Sequence, residues 1–260
     1  MIELAYMSIE GISEAERELL YSCVAPDRRQ QLVARKNRLS ADLSLAAEAL
    51  ARVMLCRTVR RMEAERLAKG DRIPDDFPYS GGTPGRIQPK DFVIVRAENG
   101  KPYQGTVPGL FFNYSHSGTV VACGVAGEEI GVDIQKRRDS GRLREKVFCP
   151  EELKEESSSF FTEVWAKKES YLKLTGEGLR KELKSLNVCR MQAEAQVQWY
   201  SDWVLDEYCL CACLEGRETC GSEGDLSENE GSGAAKGRVF CSCPVCPKEI
   251  TEYIREVQEG

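Results

Sequence analysis

The stretch from Trp165 to Leu179, Trp-Ala-Lys-Lys-Glu-Ser-Tyr-Leu-Lys-Leu-Thr-Gly-Glu-Gly-Leu, leaves the chain little structural choice. Phe161, Val164, Trp165, Lys168, Leu172 and Thr175 recur at helical spacing, and Gly176 and Gly178 stop the helix just past the last periodic position. Trp165, Glu169 and Lys173 stand at i, i+4 and i+8. A carboxylate therefore shares a surface with a large aromatic ring and, counting Lys168, with two ammonium groups. A wholly solvated face has no need of the Trp. The plain alternative is a surface helix with a Glu to Lys pair worth about 0.3 kcal/mol, and the rest of the chain decides against it.

With 260 residues, 42% of them hydrophobic and 30% charged, the chain holds one large domain or two small ones. A net charge of -6 excludes a general nucleic-acid binder, whose affinity comes from basic residues facing phosphates. The opening Met1 to Tyr6 has neither a basic nor an apolar leader region, and no run approaches the roughly 18 apolar residues of a membrane span. A cytoplasmic protein with no membrane partner is the expectation. Seven of the twelve cysteines crowd between Cys209 and Cys246 and the others are scattered singly, which fits reduced thiols better than a disulfide framework.

In chain order, Ile2 to Met7 reads as a strand, and Ser13 to Leu20 as a helix with Ser13 at the N-cap and Glu16 at the capping-box position. Pro26 to Arg38 sets Arg28, Arg29, Arg35, Lys36 and Arg38 against one acid, Asp27: a local positive field, either a solvated helix face or a seat for a phosphorylated ligand. Ser40 is expected to cap a long helix with an apolar stripe of Leu43, Ala47, Leu50 and Met54, ending near Gly70. Residues 71–90 are rich in Pro and Gly and read as a loop. Asn99 to Tyr103 is a turn that presents Lys101. Leu110 to Gly118 ends an apolar strand with Ser115, His116 and Ser117, and His116 is the single histidine. Val120 to Ala126 is a second strand and Ile130 to Gln135 a third. In the third, Gly131, Asp133 and Gln135 face away from Ile130, Val132 and Ile134. Asp133 with Glu169 alongside would make a two-carboxylate Mg2+ site completed by water and phosphate.

The motifs Phe112-Asn113-Tyr114-Ser115-His116-Ser117-Gly118, Gly131-Val132-Asp133-Ile134 and Trp165-Ala166-Lys167-Lys168-Glu169-Ser170 through Lys173 resemble, in order and spacing, the core motifs of the Sfp-type 4'-phosphopantetheinyl transferases. Pro26-Asp27-Arg28-Arg29 and Gly100-Lys101-Pro102 extend the likeness upstream, so that it covers roughly residues 1–215. The resemblance implies an α+β fold of two similar subdomains, residues 1–125 and 126–215, related by pseudo-two-fold symmetry with the active site between them. It implies a monomer that transfers 4'-phosphopantetheine from coenzyme A to a serine of an apo acyl, polyketide or peptidyl carrier protein, releasing adenosine 3',5'-bisphosphate. Asp133, Gln135 and Glu169 would face Mg2+, with Glu169 also accepting the serine proton and Lys173 and His116 acting on the phosphates. Arg28, Ser44, Lys101, Ser115, His116, Lys168 and Lys173 would hold coenzyme A. Gln135 departs from the pattern, since a second acid commonly stands there, and its neutral amide is a weaker Mg2+ ligand. That departure and the tail motivate the alternative of a catalytically weak coenzyme A or carrier-protein binding module.

Trp203 to Cys213 reads as a final strand with Cys209, Cys211 and Cys213 on one face. Residues 215–236, rich in Gly, Ser and Glu, are expected to be disordered and to lead into a Cys-containing tail, so that 216–260 lies outside the catalytic unit. Cys241, Cys243 and Cys246 with Cys220 do not repeat a Cys-x-x-Cys pair, and unpaired thiols are preferred to a zinc site there.

Overall fold

Two stacked sheets with helices on their outer faces follow from how the apolar positions alternate. A computed structural model describes residues 2–70, 87–138, 141–154, 158–178, 182–216 and 240–259. The elements are β1 (Ile2–Ser8), α1 (Glu14–Tyr21), α2 (Pro26–Val33), α3 (Arg38–Ala68), β2 (Ile94–Arg96), β3 (Pro102–Gln104), β4 (Phe111–Ser117), β5 (Val120–Ala126) and β6 (Ile130–Lys136). They continue with α4 (Arg144–Val147), α5 (Ser158–Thr175), α6 (Val188–Ala193), β7 (Val197–Val204), β8 (Tyr208–Glu215), β9 (Phe240–Pro244) and α7 (Pro247–Glu259). The first sheet runs β4-β5-β1-β9 and the second β6-β8-β7, while β2 and β3 form a separate hairpin. In both large sheets a hairpin lays its second strand against an earlier strand, giving the orders β4-β5-β1 and β7-β8-β6.

Along β1, Ile2 and Leu4 point into the space between the sheets and Ala5 and Met7 point outward to α3. Ile2, Leu4, Val120 and Ala122 meet Ile130, Val132, Ile134, Leu210 and Ala212 across the inter-sheet layer. The opposite faces are covered by α3 and α7 on the first sheet and by α5 on the second. Gly131 permits that second cover, because a Cβ there would collide with the Ser170 carbonyl of α5. Cys209, Cys211 and Cys213 lie opposite Gln135, Asp133 and Gly131 and share their face, as alternation predicts, with Cys211 in contact with Ser170 at 3.5 Å. All three are buried free thiols whose desolvation pushes their titration far up.

The capping box at Ser13 and Glu16 forms as expected. Three expectations are corrected. The cap of the long helix is Asn37, whose side chain accepts the Ser40 amide at 2.9 Å, so Ser40 sits inside the first turn. Residues 203–213 are not one strand but the end of β7, a turn with Leu205 and Asp206 at positive φ, and most of β8. The tail does not lie apart: β9 pairs in parallel with β1 from Ile2 to Tyr6, and α7 buries Ile250, Ile254 and Val257. The expectations for 71–86 and 217–239, and for Cys220, fall outside the described residues. Among the described residues no helix is long and apolar enough to cross a membrane.

Candidate functional site

The seam between the two sheets is closed by side chains of the Asn-Tyr-Ser-His-Ser motif. Successive residues of β4 alternate faces, so Asn113, Ser115 and Ser117 turn towards β6. Asn113 Oδ1 accepts the Val132 amide at 3.1 Å, Ser115 Oγ donates to Asp133 Oδ1 at 2.7 Å, and Ser117 Oγ accepts the Lys136 amide at 3.0 Å. Asp133, only 2% exposed, gathers the centre. Its Oδ1 also accepts from Lys173 Nζ at 2.7 Å, and its Oδ2 from Gln135 Nε2 at 2.8 Å. Lys173 completes its donor set on Ser115 Oγ and the Val132 carbonyl, at 2.6 and 3.0 Å.

One turn earlier on α5, Glu169 is half-buried, and no hydrogen bond to its carboxylate is found among the described residues. Burial and the charge of Asp133 push this carboxyl up to about 7, against the pull of Lys173 and Arg138. Arg138 donates to Gln135 Oε1 at 2.8 Å and stacks on the Trp165 ring at 4.8 Å, so the aromatic anchor read from the sequence props an arginine at the rim.

Residues of this donor set fit a hard divalent cation. Asp133 and Glu169 supply carboxylate oxygens, and the Gln135 amide oxygen, held by Arg138 here, would turn from it to reach a cation, while no group of three or more His, Cys, Asp or Glu is gathered among the described residues. Mg2+, which keeps several waters and takes one or two carboxylates, suits such a site. Positive charge beside Glu169 would relieve the repulsion that its carboxylate meets from Asp133.

The other face of β4 carries Tyr114 and His116 towards the N-terminal helices. His116 is exposed, yet desolvation of its ring and the Lys173 ammonium hold its imidazole below the ordinary range against Asp133, with Arg35 adding to the depression. Arg35 Nη1 donates to Ser44 Oγ at 2.7 Å, and Arg96 Nη2 to the Tyr114 hydroxyl at 2.6 Å. A cleft of about 260 Å³ opens beside Arg96 and Tyr114, lined also by Lys101, Lys173 and Gly176 among others. Gly176 at φ 74 ends α5 where Asn99 Nδ2 donates to its carbonyl at 2.7 Å.

Two expected ligand residues are placed otherwise. Lys168 does not share the surface of Glu169 and Lys173: its ammonium is fully buried, bound to Glu152 at 2.5 Å and to the Val147 carbonyl at 2.7 Å. It is a core ion pair and not a coenzyme ligand. Lys101 lines the cleft, but its ammonium is spent on Glu129 at 2.6 Å and on the Leu174 carbonyl at the end of α5 at 2.8 Å. Arg28 is held by Glu48 at 2.9 Å. Sequence reasoning passed over Arg35, Arg96, Tyr114 and Arg138 as site residues; Arg35 stands in the basic run and Tyr114 in the motif, so both carried a signal.

Residues 129–222 match the family model described as the 4'-phosphopantetheinyl transferase superfamily, a span that holds Asp133, Gln135, Glu169 and Lys173. Over this span the chain is similar to these transferases. A 4'-phosphopantetheinyl transferase of Bacillus subtilis is 34% identical over 110 residues, 39% of this chain and 49% of the relative. The transferase Sfp of Bacillus subtilis (strain 168) is 26% identical over 194 residues, 72% of this chain and 75% of Sfp. The transferase HetI of Nostoc sp. is 31% identical over 154 residues, 52% of this chain and 62% of HetI. The chain thus spans about half the length of the first of these relatives. The matched span carries the Asp133 strand and the Glu169 helix, whereas Arg28, Ser44, Lys101, Ser115 and His116 lie before it.

Proposed function

We propose that the protein transfers the 4'-phosphopantetheine group of coenzyme A to a serine of an apo carrier protein and releases adenosine 3',5'-bisphosphate. The observation that carries this reading is the raised carboxyl of Glu169 beside Asp133 and Lys173, with Lys173 also lining the cleft that Arg96 and Tyr114 border. In the reaction the carrier serine oxygen forms a bond to the phosphorus on the pantetheine side of the pyrophosphate, and the bond from that phosphorus to the bridging oxygen breaks. The serine proton passes to Glu169, whose raised titration range suits a base working near neutrality. Asp133, Glu169 and the Gln135 amide would hold Mg2+, which when bound supplies positive charge to the pyrophosphate. His116 supplies a donor near the phosphates, Lys173 supplies positive charge while its three N–H groups hold Asp133, Ser115 and the Val132 carbonyl, and Ser115 fixes Asp133 and Lys173 in register. The matching strand orders of the two sheets support the pseudo-two-fold arrangement, with β9 and α7 counted in the N-terminal unit. The protein is expected to act as a monomer in the cytoplasm.

Incubation of the full chain with coenzyme A, Mg2+ and a panel of apo acyl, polyketide and peptidyl carriers, followed by mass measurement, is expected to show the gain of one phosphopantetheine on at least one carrier. Coenzyme A binding with no transfer to any of them would leave the weaker alternative, a binding module.

Arg28→Ala and His116→Ala are each expected to raise the coenzyme A KM about tenfold, the loss of one hydrogen bond to a charged group, with the carrier KM unchanged. Equal effects on both substrates would assign these residues a structural role. Gln135→Glu places a third carboxylate beside Asp133, and ligand charge sets affinity for hard cations. A Mg2+ titration of holo-carrier formation is expected to reach half-maximal rate at lower Mg2+ in this variant, with saturating turnover within severalfold. An unchanged or higher requirement would show that residue 135 does not reach the ion.

A further inference from the structure

Glu48 lies in the middle of α3, 3% exposed, and its two oxygens serve two different arginines. Oε1 accepts from Arg52 Nε and Nη2 at 3.3 and 3.1 Å, and Oε2 accepts from Arg28 Nε at 2.9 Å. Arg52 is itself 3% exposed and pinned through Nη1 to the Phe92 carbonyl at 2.7 Å. The Glu48 and Arg52 charges already balance, so the acid has no need of a second partner for its own neutrality. Arg28 therefore leaves the trio with one net positive charge, held on the side chain nearest solvent, at 17% exposure against 4% for Glu48 and 3% for Arg52.

Only the Nε of Arg28 is committed to Glu48. Its Nη1 makes a long bond of 3.4 Å to Gln31, and no bond from Nη2 is found among the described residues. The outer end of the fork thus stays available to an anion. Tyr114, which lines the cleft, lies within electrostatic reach of both Arg28 and Glu48. Helix α2 has no side-chain cap, so this bridge to α3 is a polar tie that orients the short helix carrying Arg28.

We infer that Glu48 is a positioning residue for coenzyme A recognition, a buried carboxylate anchored by Arg52 that aims the guanidinium of Arg28 at a phosphate in the cleft. The inference rests on the coenzyme A reading given above. It adds a residue that touches no substrate and acts through Arg28 alone, while Arg52 keeps the aiming carboxylate from turning.

The test uses the full chain, with coenzyme A binding measured by calorimetry and transfer to an apo carrier measured in steady state. Glu48→Gln keeps the volume and the hydrogen-bonding shape and is expected to weaken coenzyme A binding about tenfold, the loss of one charge-assisted hydrogen bond. Turnover at saturation and the carrier KM are expected to stay within twofold. Arg28→Ala is expected to match it, and the double variant to bind no more weakly than Arg28→Ala alone, because the two changes remove one interaction. Multiplying effects, or a folded Glu48→Gln that binds coenzyme A normally, would overturn the inference while leaving the transferase reading intact. Should Glu48→Gln fail to fold, Glu48→Asp retains the charge for Arg52 and withdraws it by one methylene; normal coenzyme A binding by that variant overturns the inference equally. A wild-type chain that neither binds coenzyme A nor transfers takes the reading and the inference down together.

Discussion

Glu169→Gln is expected to cut holo-carrier formation by at least about a hundredfold, the cost of losing a general base, and at the same time to make the metal-free protein more stable at pH 8. The two effects have one origin. The Glu169 carboxyl is raised to about 7 by burial and by Asp133, so the folded protein resists its ionisation. In the unfolded chain it titrates at its ordinary value near 4.5. The proton on Glu169 stabilises the fold fully below pH 4.5, and that contribution is lost as pH rises through 7. Gln carries no charge at any pH and escapes the loss. In a chelated buffer the variant should therefore gain about 2 kcal/mol over wild type at pH 8 and nothing at pH 4. By thermal melting that gain corresponds to about 4 °C or more for a chain of this size. A variant destabilised equally at both pH values would show that Glu169 does not lie ionised in a repelling site. A variant with near-normal transfer would remove it from the chemistry.

The seam residues were legible because β4 and β6 each alternate, and alternation places Ser115 and Asp133 on known faces without any long-range information. The helix of Glu169 was legible from its period and from Gly176. Lys168 shows where the period misleads. It stands in the apolar register with Phe161, Val164 and Leu172, and the sequence cannot show that its partner Glu152 arrives from sixteen residues upstream. An ion pair of that kind replaces an apolar contact in the pattern without leaving a trace in it. Asn37 and Ser40 are both good caps, and only the bond from the Ser40 amide to Asn37 Oδ1 decides between them. Glu48 was invisible for a similar reason: a Glu four residues before an Arg on a helix reads as a solvated i,i+4 pair, and its burial follows from the packing of α3 under the first sheet.

Ending the chain at Gly216 is expected to leave no cooperatively folded protein, contrary to the view that the tail is dispensable. Local pattern hides the reason, because β9 is five residues long and pairs with β1 at the opposite end of the sequence. Without it β1, from Ile2 to Tyr6, becomes an open sheet edge with unpaired backbone groups, a template for aggregation. Without α7, Ile250 and Ile254, both 0% exposed, leave the core that they share with α3 and β1, and the burial of Val257 is lost with them. At roughly 1.5 to 3 kcal/mol for each buried side chain, that loss alone is on the order of 6 kcal/mol, against a typical net stability of about 5 to 15 kcal/mol. The Tyr253 ring, stacked under Arg57 at 4.6 Å, and its hydroxyl on Cys56 Sγ at 3.4 Å go with it. Circular dichroism, thermal melting and carrier modification of residues 1–216 against the full chain measure the outcome. Ile254→Ala in the full chain supplies a graded version, expected to cost about 2 to 5 kcal/mol while transfer per folded molecule is unchanged. A soluble, cooperatively melting and active 1–216 would show that β9 and α7 lie on the first sheet without holding it together.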